Sequence, residues 1–473
     1  MNGEYVFRTI SSVIFGLLFA FIVFSNYNNE KNSQQSDQSS RKYQPYVSGF
    51  ILPTYVITFA ILGILSTHWK QAAQEMVSFC FHVFLHISIY YLVLILLLPI
   101  LRKNICARAC ATLWIIPNYL YITQQETMEL PAPWLVITTP GNLIWFLFFL
   151  WIFGFVIILG WKIIEHISFR RHILQDSVPV SDPEILSLWQ TTLDNARMRD
   201  FGFQLVVSDC VHTPLTIGLW YSRTVVVLPR NSYTPEELEL IFQHEIIHIG
   251  RGDAWTKFFL IFCTAMCWFN PLMWFAMKTC SEDLELSCDE TVLLDANPDT
   301  HKRYAMLLLD NASDGRGFTT CLAASVQSMR YRLKRIMQPA VRRSGALVVG
   351  FTFFLLCMTN GYVALAYDAK SGQELLSQYG DPSQFTIRPR QENVSAESLV
   401  DALSALTFYD MTGNYSFSGM EYVGSCVFTT PKGSLNLILH DHAIRLTVHS
   451  KDGYSSAQYY VPEEISWICD SEI

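Results

Sequence analysis

Thr234-Pro-Glu-Glu-Leu-Glu-Leu-Ile-Phe-Gln-His244-Glu-Ile-Ile-His248-Ile-Gly-Arg-Gly-Asp253 is the stretch that organises the rest of the chain. Thr234 suits a helix N-cap and Pro235 the first helical position, while Glu237 completes a Thr-x-x-Glu capping box. Leu238, Phe242 and Ile249 supply an apolar face for packing. On such a helix His244 and His248 share a face, so both imidazoles can converge on one tetrahedral metal ion. Glu245 projects beside them, placed to take a proton from a water molecule that the ion activates.

A catalytic zinc takes three protein ligands and leaves one position for water. Downstream, Glu282, Asp283, Glu285, Asp289 and Glu290 lie on a helical stretch over Ser281–Asp295. Glu282, Glu285 and Asp289 fall at i, i+3 and i+7 and line one face, so one carboxylate can complete the site while another orients a histidine. The spacing alone does not choose among them. Asp253, five residues after His248, is a further candidate to orient it, against its reading as a turn residue beside Gly250 and Gly252. Tyr304 is the candidate oxyanion donor. Upstream, Gln204–Val207, Leu215–Gly218 and Thr224–Leu228 read as short strands. Thr224–Leu228 is the expected edge strand above the metal, where an extended substrate would add as a further strand.

This block sits in an apolar chain. Of 473 residues 51% are hydrophobic and 16% charged, against about 25% charged in an ordinary soluble protein, and mean hydropathy is +0.24. That excludes a disordered chain and points to a membrane protein. The net charge of 33 − 41 = −8 provides no basic field for direct nucleic-acid binding. Six stretches are expected to span a bilayer: Tyr5–Ser25, Phe50–Leu65, Val77–Leu101, Ala109–Ile122, Asn142–Ile164 and Ser344–Ala366. Basic residues cluster at Lys31, Arg41 and Lys42, at Arg102, Lys103 and Arg108, at Arg170 and Arg171, and from Arg330 to Arg343. The positive-inside rule then places residues 165–343 in the cytoplasm and residues 367–473 outside. Trp255–Met277 is long enough to cross, but crossing would put the Arg330–Arg343 run outside. It is expected to be a re-entrant or interfacial hairpin bent near Asn270-Pro271. His82, His86, Phe148 and Trp151 sit in spans as packing or interface anchors.

The expected organisation is thus mainly α and polytopic. Residues 1–75 hold two N-terminal spans, 76–165 a three-span core, 166–343 a cytoplasmic α+β metallopeptidase domain, 344–366 the last span, and 367–473 a small extracytoplasmic α+β sensor domain. Within that last segment Tyr422–Thr429, Leu435–Leu439 and Ile444–Val448 read as strands. Cys426 and Cys469 could form one disulfide in an oxidising space, against two buried thiols.

Taken together, Pro214-Leu-Thr-Ile-Gly218, Val225-Val-Val-Leu-Pro229, His244–Asp253, Trp268-Phe-Asn-Pro271 and Glu285-Leu-Ser-Cys-Asp289 resemble the BlaR/MecR-type membrane metallopeptidases, the bacterial β-lactam sensor–transducers related to HtpX-like gluzincins. The resemblance covers roughly residues 75–366. It implies Glu285 as the third zinc ligand, Asp289 as an orienting carboxylate and Glu245 as the base. Residues 367–473 contain no Ser-x-x-Lys, so the resemblance implies the protease and transducer frame and not β-lactam sensing. The expectation is a multi-pass zinc endopeptidase of the bacterial plasma membrane. It would cleave a cytoplasmic protein, by analogy a winged-helix repressor, and itself within residues 310–343, in answer to an extracytoplasmic ligand. A dimer is compatible with this. The rivals are a non-proteolytic receptor with a structural metal site and a constitutive HtpX-like quality-control protease.

Overall fold

The computed structural model describes residues 3–31, 43–45, 49–66, 69–123, 132–198, 202–313, 326–338, 342–359, 361–389, 396–411, 415, 420–431, 433–450, 453–463 and 465. Its helices are α1 (Gly3–Lys31), α2 (Ile51–Ser66), α3 (Trp69–Asn104), α4 (Ala107–Ile115), α5 (Leu120–Thr123), α6 (Gly141–Gln175), α7 (Pro183–Asn195), α8 (Pro235–Arg251), α9 (Asp253–Met266), α10 (Pro271–Val292), α11 (Pro298–Ser313), α12 (Val326–Met337), α13 (Ala346–Thr359), α14 (Gly372–Ser377) and α15 (Ala396–Ala405). The strands are β1 (Leu135–Thr139), β2 (Val178–Pro179), β3 (Gln204–Ser208), β4 (Leu215–Ile217), β5 (Val225–Pro229), β6 (Val363–Ser371), β7 (Thr386–Pro389), β8 (Thr407–Met411), β9 (Tyr422–Thr430), β10 (Gly433–His440), β11 (Ala443–Ser450) and β12 (Gly453–Tyr460). The chain is mostly helical with α+β regions.

Among the described residues three helices, α1, α3 and α6, are long and apolar enough to cross a membrane. The other three expected spans are shorter. α2 has 16 residues. Ala109–Ile122 is broken at Pro117, which opens a 3-10 turn between α4 and α5, and its residues are almost wholly buried inside the bundle. The stretch Ser344–Ala366 is helical for only 14 residues, about 21 Å against the roughly 30 Å of a hydrocarbon core. Gly361, at φ 95°, ends that run, and Val363–Ala366 enters β6 because β1 is there to pair with it.

α1 lies along α13. At their crossing a Cβ on Gly350 would come within 2.5 Å of the Gly16 carbonyl oxygen, so both helices need glycine to approach this closely. Arg8, the one charge inside the first apolar stretch, is buried against the end of α13. Its guanidinium donates to the carbonyls of Cys357 (2.7 Å) and Met358 (3.0 Å), which have no partner within their own helix.

A four-stranded sheet of order β2-β3-β5-β4 packs on α7 and α8. Three of its strands, β3, β4 and β5, match the short runs expected from the sequence, but the edge lies elsewhere. Val225–Pro229 is the fully buried central strand, between β3 and β4, and β4 is the edge. The expectation that Thr224–Leu228 lies at the edge is therefore corrected: five consecutive apolar residues suit a strand covered on both faces.

The second sheet has eight strands in the order β1-β6-β8-β12-β11-β10-β9-β7. β1 comes from the segment before α6 and pairs in parallel with β6, Leu135 opposite Val363 and Thr139 opposite Tyr367. Residues 135–139 and the C-terminal sheet are thus one structural unit and share one side of any bilayer the helices cross. His82 of α3 reaches into it, 2.9 Å from the Tyr415 hydroxyl. Cys426 is buried on β9, and Cys469 lies outside the described residues.

Candidate metal centre

α8 begins as its residues dictate. Glu237 N–H donates to Thr234 Oγ1 (3.3 Å), and Thr234 N–H to Glu237 Oε2 (2.8 Å), closing the capping box. Leu238, Phe242 and Ile249 are buried, with Trp189 of α7 edge-on to Phe242. Gly252 closes the helix in the left-handed conformation, at φ 67°. That reversal starts α9 at Asp253 and directs its carboxylate back to α8.

His244 and His248 bring their Nε2 atoms within 3.1 Å of each other. Glu285 of α10 places Oε2 at 3.6 Å from the first and 3.5 Å from the second. Ligand atoms of a tetrahedral ion with bonds of about 2.0–2.1 Å stand roughly 3.3–3.4 Å apart. The three atoms therefore fit three corners of such a polyhedron, and the set His, His, Glu suits zinc. Neither Glu282 nor Asp289 meets both imidazoles.

The back of each imidazole is held. His248 Nδ1 lies 2.6 Å from Asp253 Oδ2, which can only accept, so Nδ1 carries a proton and Nε2 is the nitrogen turned to the site. Asp289 does not touch His244 directly, its Oδ1 being 3.7 Å from Nδ1. Tyr304 stands between them: its hydroxyl donates to Asp289 (2.8 Å) and accepts from His244 Nδ1 (2.9 Å). Arg332 of α12 fixes Asp289 through two bonds of 2.7 Å. Tyr304, the expected oxyanion donor, is only 2% exposed and lies behind His244 with its one proton given to Asp289. It is placed to orient the imidazole and not to meet a substrate carbonyl.

Two imidazole nitrogens and a carboxylate oxygen thus converge within one ion's reach, an arrangement that suits a cation. Burial disfavours charge on His248, yet Cys288, Glu285 and Asp253 outweigh it and raise its pKa well above the ordinary value. Burial likewise opposes ionised Glu285, but Lys257, His248 and His244 hold its pKa well below the usual carboxylate range. Lys257 Nζ sits 3.2 Å from Oε1 of Glu285, which leaves Oε2 to face the histidines.

Glu245 is 5% exposed, and its Oε2 accepts a 2.6 Å hydrogen bond from Thr216 Oγ1 on the edge strand β4. The remaining acidic residues of α10 are not a solvated face. Asp283 is buried against Arg102 and the Trp114 indole, and Glu290 meets Arg335, Arg342 and the Ala107 N–H. Sequence reading missed Thr216, Cys288 and Arg332. Cys288 Sγ lies 3.5 Å from His248 Nδ1 and stands inside the quoted Glu285–Asp289 motif, and Arg332 was visible only as part of a basic run.

Residues 118–337 match the family described as BlaR1 peptidase M56. The chain is 28% identical over 187 residues to the regulatory protein BlaR1 of Bacillus licheniformis, a match covering 39% of this chain and 30% of that protein. The chain thus aligns with less than a third of that relative's length. These findings support the BlaR/MecR-type resemblance drawn from the motifs, with a metallopeptidase domain in a membrane protein.

Proposed function

Taking residues 118–337 as an M56 metallopeptidase domain, we propose that the protein is a membrane-embedded zinc endopeptidase. Its substrate in this reading is a cytoplasmic protein, by analogy a transcriptional repressor, cleaved when the C-terminal domain receives a signal across the membrane. The observation that carries the peptidase reading is the 3.1, 3.5 and 3.6 Å triangle with Glu245 beside it. His244, His248 and Glu285 would hold zinc, which supplies Lewis-acid polarisation of the scissile carbonyl.

Glu245 takes a proton from the attacking water and returns it to the leaving amine. Thr216 holds that carboxylate in place while β4 offers its free edge, among the described residues, to an extended substrate. Asp253 and Tyr304 keep both imidazoles in the tautomer that leaves Nε2 bare. The basic clusters support a cytoplasmic site. They also put β1 and the C-terminal sheet together outside, in keeping with their pairing. A structural metal site would close all four positions with protein ligands and has no use for Glu245.

The test is Glu245→Ala. It should retain stoichiometric zinc and abolish cleavage, and proteomes of cells carrying native and variant protein should differ in the substrate. Equal cleavage by zinc-loaded Glu245→Ala protein would overturn the mechanism.

A further inference from the structure

The two helices that supply the metal triangle are joined behind it by one side chain. Arg251 sits three residues after His248 on α8. Its Nη1 donates to Ser287 Oγ (2.9 Å) and its Nη2 to Thr291 Oγ1 (2.6 Å), both on α10, which also carries Glu285. Nη1 also approaches Cys288 Sγ at 3.5 Å, the thiol that touches His248. Arg251 is buried, so its charge needs a partner, and the partner is remote in sequence. Glu30, in the last turn of α1, accepts from Nε (3.1 Å) and Nη2 (2.8 Å) in a two-pronged pair whose side chains are 2% and 10% exposed. The same carboxylate pairs with Arg108 at the start of α4. Two buried guanidinium groups therefore share Glu30.

We infer that Glu30 is a positioning residue of the metal site, acting through Arg251 to hold α8 and α10 in the register that brings His248 and Glu285 together. Without its charge, Arg251 and Arg108 lose the carboxylate they share. Arg251 is then driven off Ser287 and Thr291, and the triangle loosens. A metal site tolerates only about 0.5 Å of such drift. Glu30 lies outside the 118–337 match, so the support it gives comes from a helix beyond the matched residues. The far end of α1 is fixed separately, by Arg8 on the last carbonyls of α13.

The inference rests on the metal-site reading, and one experiment separates the two. Zinc affinity is measured by chelator competition on full-length protein in detergent for native, Glu30→Gln and Arg8→Gln chains. Glu30→Gln should bind zinc about tenfold more weakly, the low end of what loss of a supporting partner costs. Arg8→Gln, which loosens the same helix at its other end, should stay within twofold of native. Native affinity in Glu30→Gln overturns the inference, as does equal weakening in both variants, which would make α1 a general brace. If Glu30→Gln does not fold, Arg251→Lys, which keeps the charge and loses the fork, is read by the same criterion. Absence of zinc binding by the native chain would instead sink the metal-site reading itself.

Discussion

Asp253→Ala is the sharpest test of the way the imidazoles are held. The carboxylate lies 2.6 Å from His248 Nδ1, and the two side chains are 5% and 11% exposed, so water cannot readily replace the bond. A hydrogen bond to a charged group of this kind contributes about 1.5–3 kcal/mol. At roughly 1.4 kcal/mol per factor of ten, its loss should weaken zinc binding about ten- to a hundredfold, in line with the effect of removing an orienting carboxylate behind a metal-bound histidine. Asp253→Asn keeps an acceptor in the same place and loses only the charge, so it should fall between native and Asp253→Ala. The carboxylate also stands in the first turn of α9, where its removal costs about 0.3–1 kcal/mol of helix stability. Thermal unfolding in detergent reads that separately from zinc competition. Zinc affinity within twofold of native in Asp253→Ala would refute the reasoning, and so would Asp253→Asn binding more weakly than Asp253→Ala.

Thr216→Val conserves shape and removes the donor to Glu245; turnover should fall about tenfold or more at unchanged zinc content, and native turnover would show the bond to be idle. Asp289→Asn leaves the Arg332 guanidinium buried against a weakened partner and should cost up to about 3–5 kcal/mol in thermal unfolding. The paired change Asp289→Leu with Arg332→Met should cost less than the single one, and the reverse order would refute the buried-pair account. Gly350→Ala forces α13 off Gly16 and Ala20 and should destabilise the helix pair by about 1–3 kcal/mol, seen as a lowered melting temperature. Stripping zinc from protein held at a hundred times its dissociation constant should remove about 2.7 kcal/mol of stability, and an unchanged melting temperature would mean that the ion does not bind the folded site.

α8 was legible because everything that shapes it is local: a capping box, Pro235, two histidines one turn apart and a terminal glycine. The break between α9 and α10 at Asn270-Pro271 was legible for the same reason, since Asn270 caps α10 by accepting from the Leu272 N–H. Choosing Glu285 over Glu282 required the resemblance, because the choice depends on how α10 is rotated against α8, which no spacing along α10 records. The edge strand was misassigned because sheet order is a non-local property; five consecutive apolar residues at β5 were the available warning. The last span was drawn too long because Val363–Ala366 is apolar enough for lipid. What turns it into a strand is β1, which the sequence presented only as a loop poor in basic residues. Glu30 and Arg332 escaped notice because a buried charge is found by its partner, and both partners lie far along the chain.

The pairing of β1 with β6 also sets an order of events during synthesis. The two strands are 363 − 135 = 228 residues apart, and at about 5–20 residues per second roughly 11–46 s separate their appearance. Through that interval the ribosome extends a chain whose first strand, with the exposed Trp134 and Leu135, has no partner and only the growing helical bundle beside it. The edge cannot be satisfied until α13 is made and β6 emerges behind it. A prematurely terminated chain leaves both edges of that strand unpaired, where the finished sheet leaves one.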